Sequence, residues 1–399
     1  MRWVTGGVTA AAGFRAAGVS AGIKRGRKPD VALIVSDAPA AAAGVLTTNR
    51  IQAAPVLISR QRLRRGLARA ILINSGCANC LTGAAGGEDA LVLGRAAAHA
   101  LGLQERDILL ASTGIIGRRL PVPRILRVIP QLAHALSRRH HEAAARAILT
   151  TDLRSKEAAV EATIAGRRCR IGGMAKGAGM IAPSMATMLC VLTTDVEIAP
   201  ELLRRLLQEA ADRTFNRISV DGEMSTNDTV FALAGGRARV TIRAGSAGVR
   251  RFAAMLQALT QRLAMLIAED GEGATRLMEV EVLGARTDDE AQACARQVAC
   301  SPLVKTMLAG GDPNVGRIAA SVGASPARFD PSALEVAIGS TPVVSGGVAL
   351  RVGKSLARAL LKPPRVTVRI HLHAGRGRGR MLTCDLTEAY VRINARYAT

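Results

Sequence analysis

Aromatic side chains are nearly absent: one Trp, two Tyr and five Phe stand among 399 residues. Proteins hold nucleobases by stacking them on aromatic faces. So few rings therefore argue against a nucleic-acid binder, even at a formal charge of +23. The cations are dispersed, apart from residues 24–28 and the alternating Arg376, Arg378 and Arg380. Both runs read as solvated surface, able to attract anionic small molecules. Only one C-x-x-C, Cys77 and Cys80, occurs among the seven cysteines, so no second pair completes a four-thiolate zinc site, and free thiols are favoured over a metal or redox role. The odd count reads as free thiols in a reducing cytoplasm. No charged leader followed by a long apolar run opens the chain, and no stretch of 18 apolar residues occurs. Neither a signal peptide nor a spanning helix is expected. The order G-x-x-x-x-G-K-[ST] is missing too, because Lys176 precedes Gly177 and Gly179, so no phosphate loop is read there.

What is present is aliphatic. Apolar residues make up 49% of the chain, enough for a sizeable core of Ala, Leu, Val, Ile and Met. Residues 1–30 are rich in Gly and Ala and show little periodicity. A short strand is expected over 31–35, stopped by Ser36-Asp37-Ala38-Pro39, and another over 71–73, running into the turn-prone Asn74-Ser75-Gly76. A strand over 108–111 and helices over 88–101 and 122–138 follow from their apolar spacing. Strands over 158–164 and 170–173 flank a turn at Gly166, and 188–192 is strongly apolar. Helices are expected over 200–216, opened by Pro200, over 252–269, and over 289–307 with a break at Ser301-Pro302. Further strands are expected over 278–283, 341–350 and 365–371. Strands alternating with helices predict α/β layers. The polar break Gly284-Ala285-Arg286-Thr287 predicts a boundary near 285, giving a main region 1–284 and a smaller α/β domain 285–399.

The most informative segment runs Lys176-Gly177-Ala178-Gly179-Met180-Ile181-Ala182-Pro183-Ser184-Met185-Ala186-Thr187-Met188-Leu189. Glycines permit tight backbone there, and Thr187 opens an apolar stretch that can hold a hydroxyl rigidly. An internal threonine has no base of its own. If the bond before Thr187 were cut, its α-amine, with a reference pKa near ~8, could take the hydroxyl proton. The same hydroxyl can make that cut by attacking the carbonyl of Ala186. A Gly-rich turn feeding a core strand explains the same residues, and composition alone leaves both readings open.

Motifs spread over the whole chain add to this. They include Gly44-Val45-Leu46-Thr47-Thr48-Asn49-Arg50, Ser112-Thr113-Gly114-Ile115-Ile116-Gly117, the segment 176–189, Asn216-Arg217-Ile218-Ser219-Val220-Asp221-Gly222, Ser225-Thr226-Asn227-Asp228-Thr229, Asp270-Gly271-Glu272-Gly273-Ala274-Thr275, Asp312-Pro313-Asn314 and Cys384-Asp385-Leu386-Thr387. In these the sequence resembles the ornithine acetyltransferase family, the bifunctional glutamate N-acetyltransferases of arginine biosynthesis. The resemblance implies a layered αββα-type sandwich of the self-cleaving N-terminal-threonine acyltransferase kind, with a smaller C-terminal α/β domain lending terminal residues to the site. It implies cleavage between Ala186 and Thr187 into α and β fragments that assemble as an α2β2 heterotetramer. Thr187 would be the nucleophile, and Thr113 with Gly114 the oxyanion-stabilising pair. Thr150, Lys176, Thr187, Glu272, Asn394 and Thr399 would contact substrate. The implied substrates are N2-acetylornithine and L-glutamate, with acetyl-CoA a co-substrate in some members and no metal or bound organic cofactor.

The sequence departs from the family pattern at several places. Cys77 stands where an asparagine is usual, Glu223 and Met224 where Asp-Thr is usual, and Val315 where a tryptophan is usual. Residues 373–383 are unusually basic. An amidase or aminopeptidase of the same N-terminal-threonine kind would differ only in that water takes the acyl group. A nucleic-acid binder would stay one intact chain.

Overall fold

A computed structural model describes residues 1–182 and 188–396. Ala186, Thr187 and Thr399 lie outside the described residues. Among those described, nine strands form one sheet, in the order Arg2–Val4, Lys156–Ile164, Arg167–Lys176, Leu189–Thr194, Thr229–Ala234, Val31–Leu46, Leu67–Cys77 and Ile108–Ile115, with Phe14–Val19 pairing onto Val31–Leu46.

Side-chain alternation shows how this sheet makes layers, since successive residues of a strand face opposite sides. Along Leu189–Thr194, Leu189 and Val191 enter one apolar cluster while Cys190 and Leu192 enter another. Phe231 and Leu233 follow the first, and Val230, Ala232 and Ala234 the second. The second cluster is covered by the helices Pro200–Arg213 and Ala247–Glu269 through Leu203, Leu207, Met255, Leu259 and Leu263. The first cluster also receives Ile71, Ile73, Leu109 and Ala111 from the strands at the far end of the sheet. Those strands turn Ala70, Leu72, Ile108 and Leu110 the other way, against Leu93, Ala97, Ile125 and Ile129 of the helices Gly83–Leu101 and Val122–His134. The sheet is thus folded on itself: helix, strand, strand, helix. This is the αββα sandwich that the resemblance implied.

The strand Val31–Leu46 is the hinge of that folding. Val31, Leu33 and Val35 face the helices Gly83–Leu101 and Val122–His134, Ala32, Ile34, Ala40 and Ala42 the middle, and Ala43 and Val45 the helices Pro200–Arg213 and Ala247–Glu269. The expected stop at Ser36-Asp37-Ala38-Pro39 is corrected here. The chain bulges, with a register shift between Val35 and Ala40 against the neighbouring strand, and then continues. Asp37 N–H bonds Gly13 O at 2.9 Å and its carboxylate meets Arg15, so the turn-forming residues are satisfied in the bulge. The helix expected to run to 138 ends at His134, because Ser137 leaves it to exchange backbone hydrogen bonds with Ala16. The first thirty residues, without periodicity, supply the strands Arg2–Val4 and Phe14–Val19.

A second sheet orders Ile218–Ser219, Gly377–Cys384, Leu277–Ala285, Arg365–His371, Glu335–Ile338, Thr341–Ser345 and Val348–Ala349. Met278, Val280 and Val282 pack on Ala291, Cys294 and Val298 of the helix Asp288–Cys300. The boundary expected near 285 thus falls at the end of a strand whose main partners follow it in sequence. Thr287 Oγ1 caps that helix, with Asp288, Asp289 and Glu290 in its first turn. The break at Ser301-Pro302 is real: Ser301 caps a new helix, Pro302–Gly310. The single expected strand 341–350 is two, joined at Gly346 and Gly347. The Arg376, Arg378, Arg380 run alternates with glycines for a reason of packing. A Cβ on Gly377 would lie 2.2 Å from Thr287 O, and one on Gly379 2.3 Å from Ala291 C, so only glycine suits the helix-facing positions. Arg376 and Arg378 occupy the exposed ones.

Candidate active site

Thr113 and Gly114 stand at the end of the strand Ile108–Ile115, where it pairs with Leu67–Cys77 across an irregularity at Gly76/Cys77. Gly114 has φ +127°, and a Cβ there would sit 2.4 Å from Gly76 C, so a side chain is excluded on both counts. Two buried asparagines hold this strand end. Asn227 donates from Nδ2 to Ala78 O at 2.7 Å and to Ser112 O at 2.8 Å. Asn74 donates to Cys77 O at 2.8 Å and accepts from Ser112 Oγ at 2.5 Å.

Lys176 ends the strand Arg167–Lys176 and is only 2% exposed. Burial lowers its pKa, against the opposing pull of Asp152, whose Oδ2 lies 3.8 Å from Nζ. Asp152 belongs to a larger buried group. Lys156, fully buried, donates to Asp152 Oδ1 at 2.6 Å and Asp270 Oδ2 at 2.5 Å. Burial alone would raise Asp152, but Lys176 and Lys156 outweigh it and hold its carboxyl well below the usual range. Asp152 also accepts from the N–H of Thr150 at 3.0 Å and of Gly177 at 2.7 Å, which ties the Thr150 loop to the end of the Lys176 strand.

Glu272 follows the helix Ala247–Glu269 and is 9% exposed. Its N–H bonds Ala178 O at 2.8 Å, and its Oε2 accepts from Asn394 Nδ2 at 2.8 Å, a residue of the helix Glu388–Arg396. A Cβ on Gly179 would meet Glu272 Cδ at 2.5 Å, so glycine lets the carboxylate lie against this turn. Asp221 fixes the same turn by accepting from Met180 N at 2.6 Å and Ile181 N at 2.9 Å. Met188 N–H donates to Asp228 Oδ1 at 3.0 Å.

These elements converge on one cleft of about 210 Å³, whose lining includes Thr113, Gly114, Thr150, Lys176, Glu272 and Asn394. All the described residues singled out for the site in the sequence are therefore brought together, from widely separated parts of the chain. Thr187 and Thr399 lie outside the described residues. A backbone N–H, a hydroxyl, a buried cation and a buried anion around one small cleft can bind a zwitterion and stabilise an oxyanion. No group of His, Cys, Asp and Glu able to hold a metal occurs among the described residues, and no described helix is long and apolar enough to cross a membrane.

Sequence reasoning missed the supporting charges Asp152, Lys156 and Asp270 and the clamps Asn74, Asn227 and Asp228. Asn227, Asp228 and Asp270 stand inside motifs that carried the resemblance, which was the available signal. Asp152 and Lys156 had none. The departure at Cys77 lies beside the cleft but does not line it: its side chain joins the apolar cluster of Leu93 and Ile125, and Sγ bonds Arg118 O at 3.1 Å. Met224 is likewise outside the lining and takes the Thr48 hydroxyl on its sulfur at 3.6 Å.

A four-layer α/β sandwich with this cleft belongs to an acyltransferase that matures by cutting its own chain. The chain is 48% identical over 413 residues to the arginine biosynthesis bifunctional protein ArgJ of Thermosynechococcus vestitus, covering 99% of each. It is 46% identical over 402 residues to the protein of that name from Symbiobacterium thermophilum, covering 100% of each. Among solved structures it resembles the arginine biosynthesis bifunctional protein argJ of Bacillus halodurans, at 40% identity and a TM-score of 0.51, over 52% of this chain and 98% of that one. A model of the ArgJ family matches residues 15–399, and the chain belongs to that family of arginine-biosynthetic acyltransferases.

Proposed function

We propose that this chain is a glutamate N-acetyltransferase that cuts itself between Ala186 and Thr187 and then carries an acetyl group from N2-acetylornithine to L-glutamate on Thr187 Oγ. The assignment of roles rests on one observation: Thr113, Gly114, Thr150, Lys176, Glu272 and Asn394 line a single cleft. Lys176 meets the substrate α-carboxylate, and Glu272, steadied by Asn394, meets the ornithine side-chain ammonium. Thr150 lines the mouth, and Thr399 closes the site. The Thr187 hydroxyl attacks the acetyl carbonyl while its own α-amine takes the proton. The oxyanion is met by the Thr113 hydroxyl and the Gly114 N–H. The C–N bond then breaks, the amine returns its proton to the leaving ornithine nitrogen, and an acetyl-Thr ester remains. Glutamate attacks that ester through its α-amine by the same steps in reverse. Acetyl-CoA is a further donor in some members of the family the sequence resembles, and the fragments 1–186 and 187–399 pair as an α2β2 heterotetramer. All seven cysteines are free and mostly buried, which suits the cytoplasm.

Intact-mass measurement of the purified protein tests the scheme. Fragments beginning at Met1 and Thr187 are expected, and Thr187→Ala is expected to remain whole and inactive. Full activity in an unbroken chain, or in that variant, overturns the proposal. Acetate release without acetylglutamate would instead make the enzyme an amidase.

A further inference from the structure

Lys24 opens the basic run 24–28 but does not share its exposure. Arg25, Arg27 and Lys28 are exposed, whereas Lys24 is half-buried. Asp30, fully buried, turns it inward. That carboxylate accepts the N–H groups of Ala21 at 2.6 Å, Ile23 at 2.7 Å and Lys24 at 3.1 Å, so the loop is wound around one side chain. Asp30 O in turn accepts the Ser75 N–H at 2.8 Å, which docks the loop on the strand Leu67–Cys77. At the next residue, Gly76, a Cβ would meet Lys24 Cγ at 2.9 Å and Ile23 Cγ2 at 3.0 Å. Past that corner the Lys24 ammonium crosses to the segment after the helix His141–Ala147 and donates to Leu149 O at 2.9 Å. Ser75 Oγ makes a second tie to the same segment, to Ala147 O at 2.6 Å.

Both ends of this bridge belong to the cleft. Gly76 pairs with Gly114, and Leu149 immediately precedes Thr150. Lys24 itself lies outside the lining, so it acts through the backbone it holds. We propose that Lys24 is a positioning residue that ties the Thr150 loop to the Gly76–Gly114 corner and so sets the width of the cleft between its oxyanion end and its Thr150 wall. The inference rests on the proposed function, in which Thr150 meets the substrate. Charge enters because a cationic donor bonds a carbonyl more strongly than a neutral one. Asp30 of its own loop and Asp152 of the Thr150 loop attract the ammonium, while Lys28 and Lys176 repel it. Burial is the largest influence and lowers the Lys24 pKa to about 8. The bridge is therefore charged at neutral pH, and it weakens as pH rises through that value.

The test is a pair of variants of the full chain, Lys24→Met and Lys24→Arg, assayed for acetyl transfer from acetylornithine to glutamate. Lys24→Met should still be cleaved, because Asn74 and Asn227 hold the oxyanion strand independently. At pH 7 its KM for acetylornithine should rise about tenfold, with kcat within about threefold of wild type. Lys24→Arg keeps a charged donor at every working pH. It should bring KM at pH 7 back to within about threefold of wild type, and it should abolish the rise in KM that wild type shows between about pH 7.5 and 9. A tie that only stabilises the fold would lower the melting temperature of Lys24→Met and leave KM unmoved, which overturns the proposal. The same rise with pH in Lys24→Arg as in wild type also overturns it, by assigning that titration to another group. Should Lys24→Met fail to fold, the pH profile of Lys24→Arg decides alone. Either failure leaves the acetyltransferase reading standing, whereas a processed wild type that transfers no acetyl group from acetylornithine overturns that reading itself.

Discussion

Asn394, near the C-terminal end of the sequence, donates its side-chain amide to Glu272, 122 residues earlier, at 2.8 Å. The bond holds a nearly buried carboxylate, 9% exposed, which in the proposed function meets the ornithine ammonium. Asn394→Ala removes it and leaves Glu272 free to swing. Hydrogen bonds to charged groups contribute about 1.5–3 kcal/mol, so KM for acetylornithine should rise by roughly ten- to a hundredfold. Because the bond is remote from the reacting carbonyl, kcat should change little. Steady-state kinetics on the processed variant check this, and an unchanged KM would show that Glu272 is held by other means.

Lys156 is the hub of the buried charges, between Asp152 and Asp270. Lys156→Met leaves Asp152 and Asp270 facing each other without the close cation between them, with Lys176 and Arg154 each 3.8 Å away as the remaining positive charges. Breaking a buried pair in this way costs about 3–5 kcal/mol, and the melting temperature should fall by several degrees. The pH dependence has a definite sign. Asp152 is held below its ordinary value in the folded protein, mainly by Lys176 and Lys156 once burial is overcome. It therefore contributes stability that is present above about pH 4, the unfolded value, and is lost as pH falls through the folded value. Wild-type protein should lose stability progressively below about pH 4. In the variant this loss should shrink and be complete at a higher pH, while its onset, set by the unfolded value, stays near about pH 4. Thermal melts between pH 2 and 8 read both effects, and parallel curves for the two proteins would count against the assignment.

Much of the fold was legible because its strands and helices are aliphatic and strongly periodic. The helix Pro200–Arg213 and the strand Arg365–His371 follow directly from spacing. What was not legible depends on distant partners. Ser36 to Pro39 carry every local sign of a chain reversal, yet Gly13 and Arg15 absorb them into a bulge. Ser137 reads as helix until Ala16 arrives to take its backbone. The site divides in the same way. Thr113, Lys176 and Glu272 were reachable through motif resemblance, because chemistry fixes their types. Asp152 and Lys156 were not, since a buried ion pair is made by tertiary packing and leaves no pattern in the sequence.

Gly114 and Gly179 make a paired prediction, because they are required for different reasons. Gly114→Ala meets both a left-handed φ of +127° and backbone at 2.4 Å. It should strain the oxyanion strand by about 1–3 kcal/mol or displace it, abolishing processing and transfer together. Gly179→Ala meets only the Glu272 carboxylate. It should spare processing and raise KM for acetylornithine. Mass spectrometry and kinetics on the two variants separate the roles, and identical behaviour would mean the cleft does not divide into oxyanion and ammonium ends.

Cys77 offers the sharpest check on how far the departures from the family pattern matter. An amide is usual at that position, and its loss could alter substrate binding if the side chain faced the cleft. It faces the other way: the thiol is 1% exposed, packed with Leu93 and Ile125, and bonded to Arg118 O. Burial also pushes its pKa up, so it is a poor nucleophile. Cys77→Ala removes a sulfur from an apolar cluster and should cost about 1 kcal/mol of stability. KM and kcat should stay within about twofold, because the backbone of residue 77, not its side chain, pairs with Thr113. Cys77→Asn places an amide in the same apolar space with Arg118 O as acceptor. It should destabilise by about 1–3 kcal/mol and still leave substrate affinity unchanged. A marked change in KM for either variant, at temperatures where both are folded, would move this side chain to the substrate and require the loop from Asn74 to Gly83 to be redrawn.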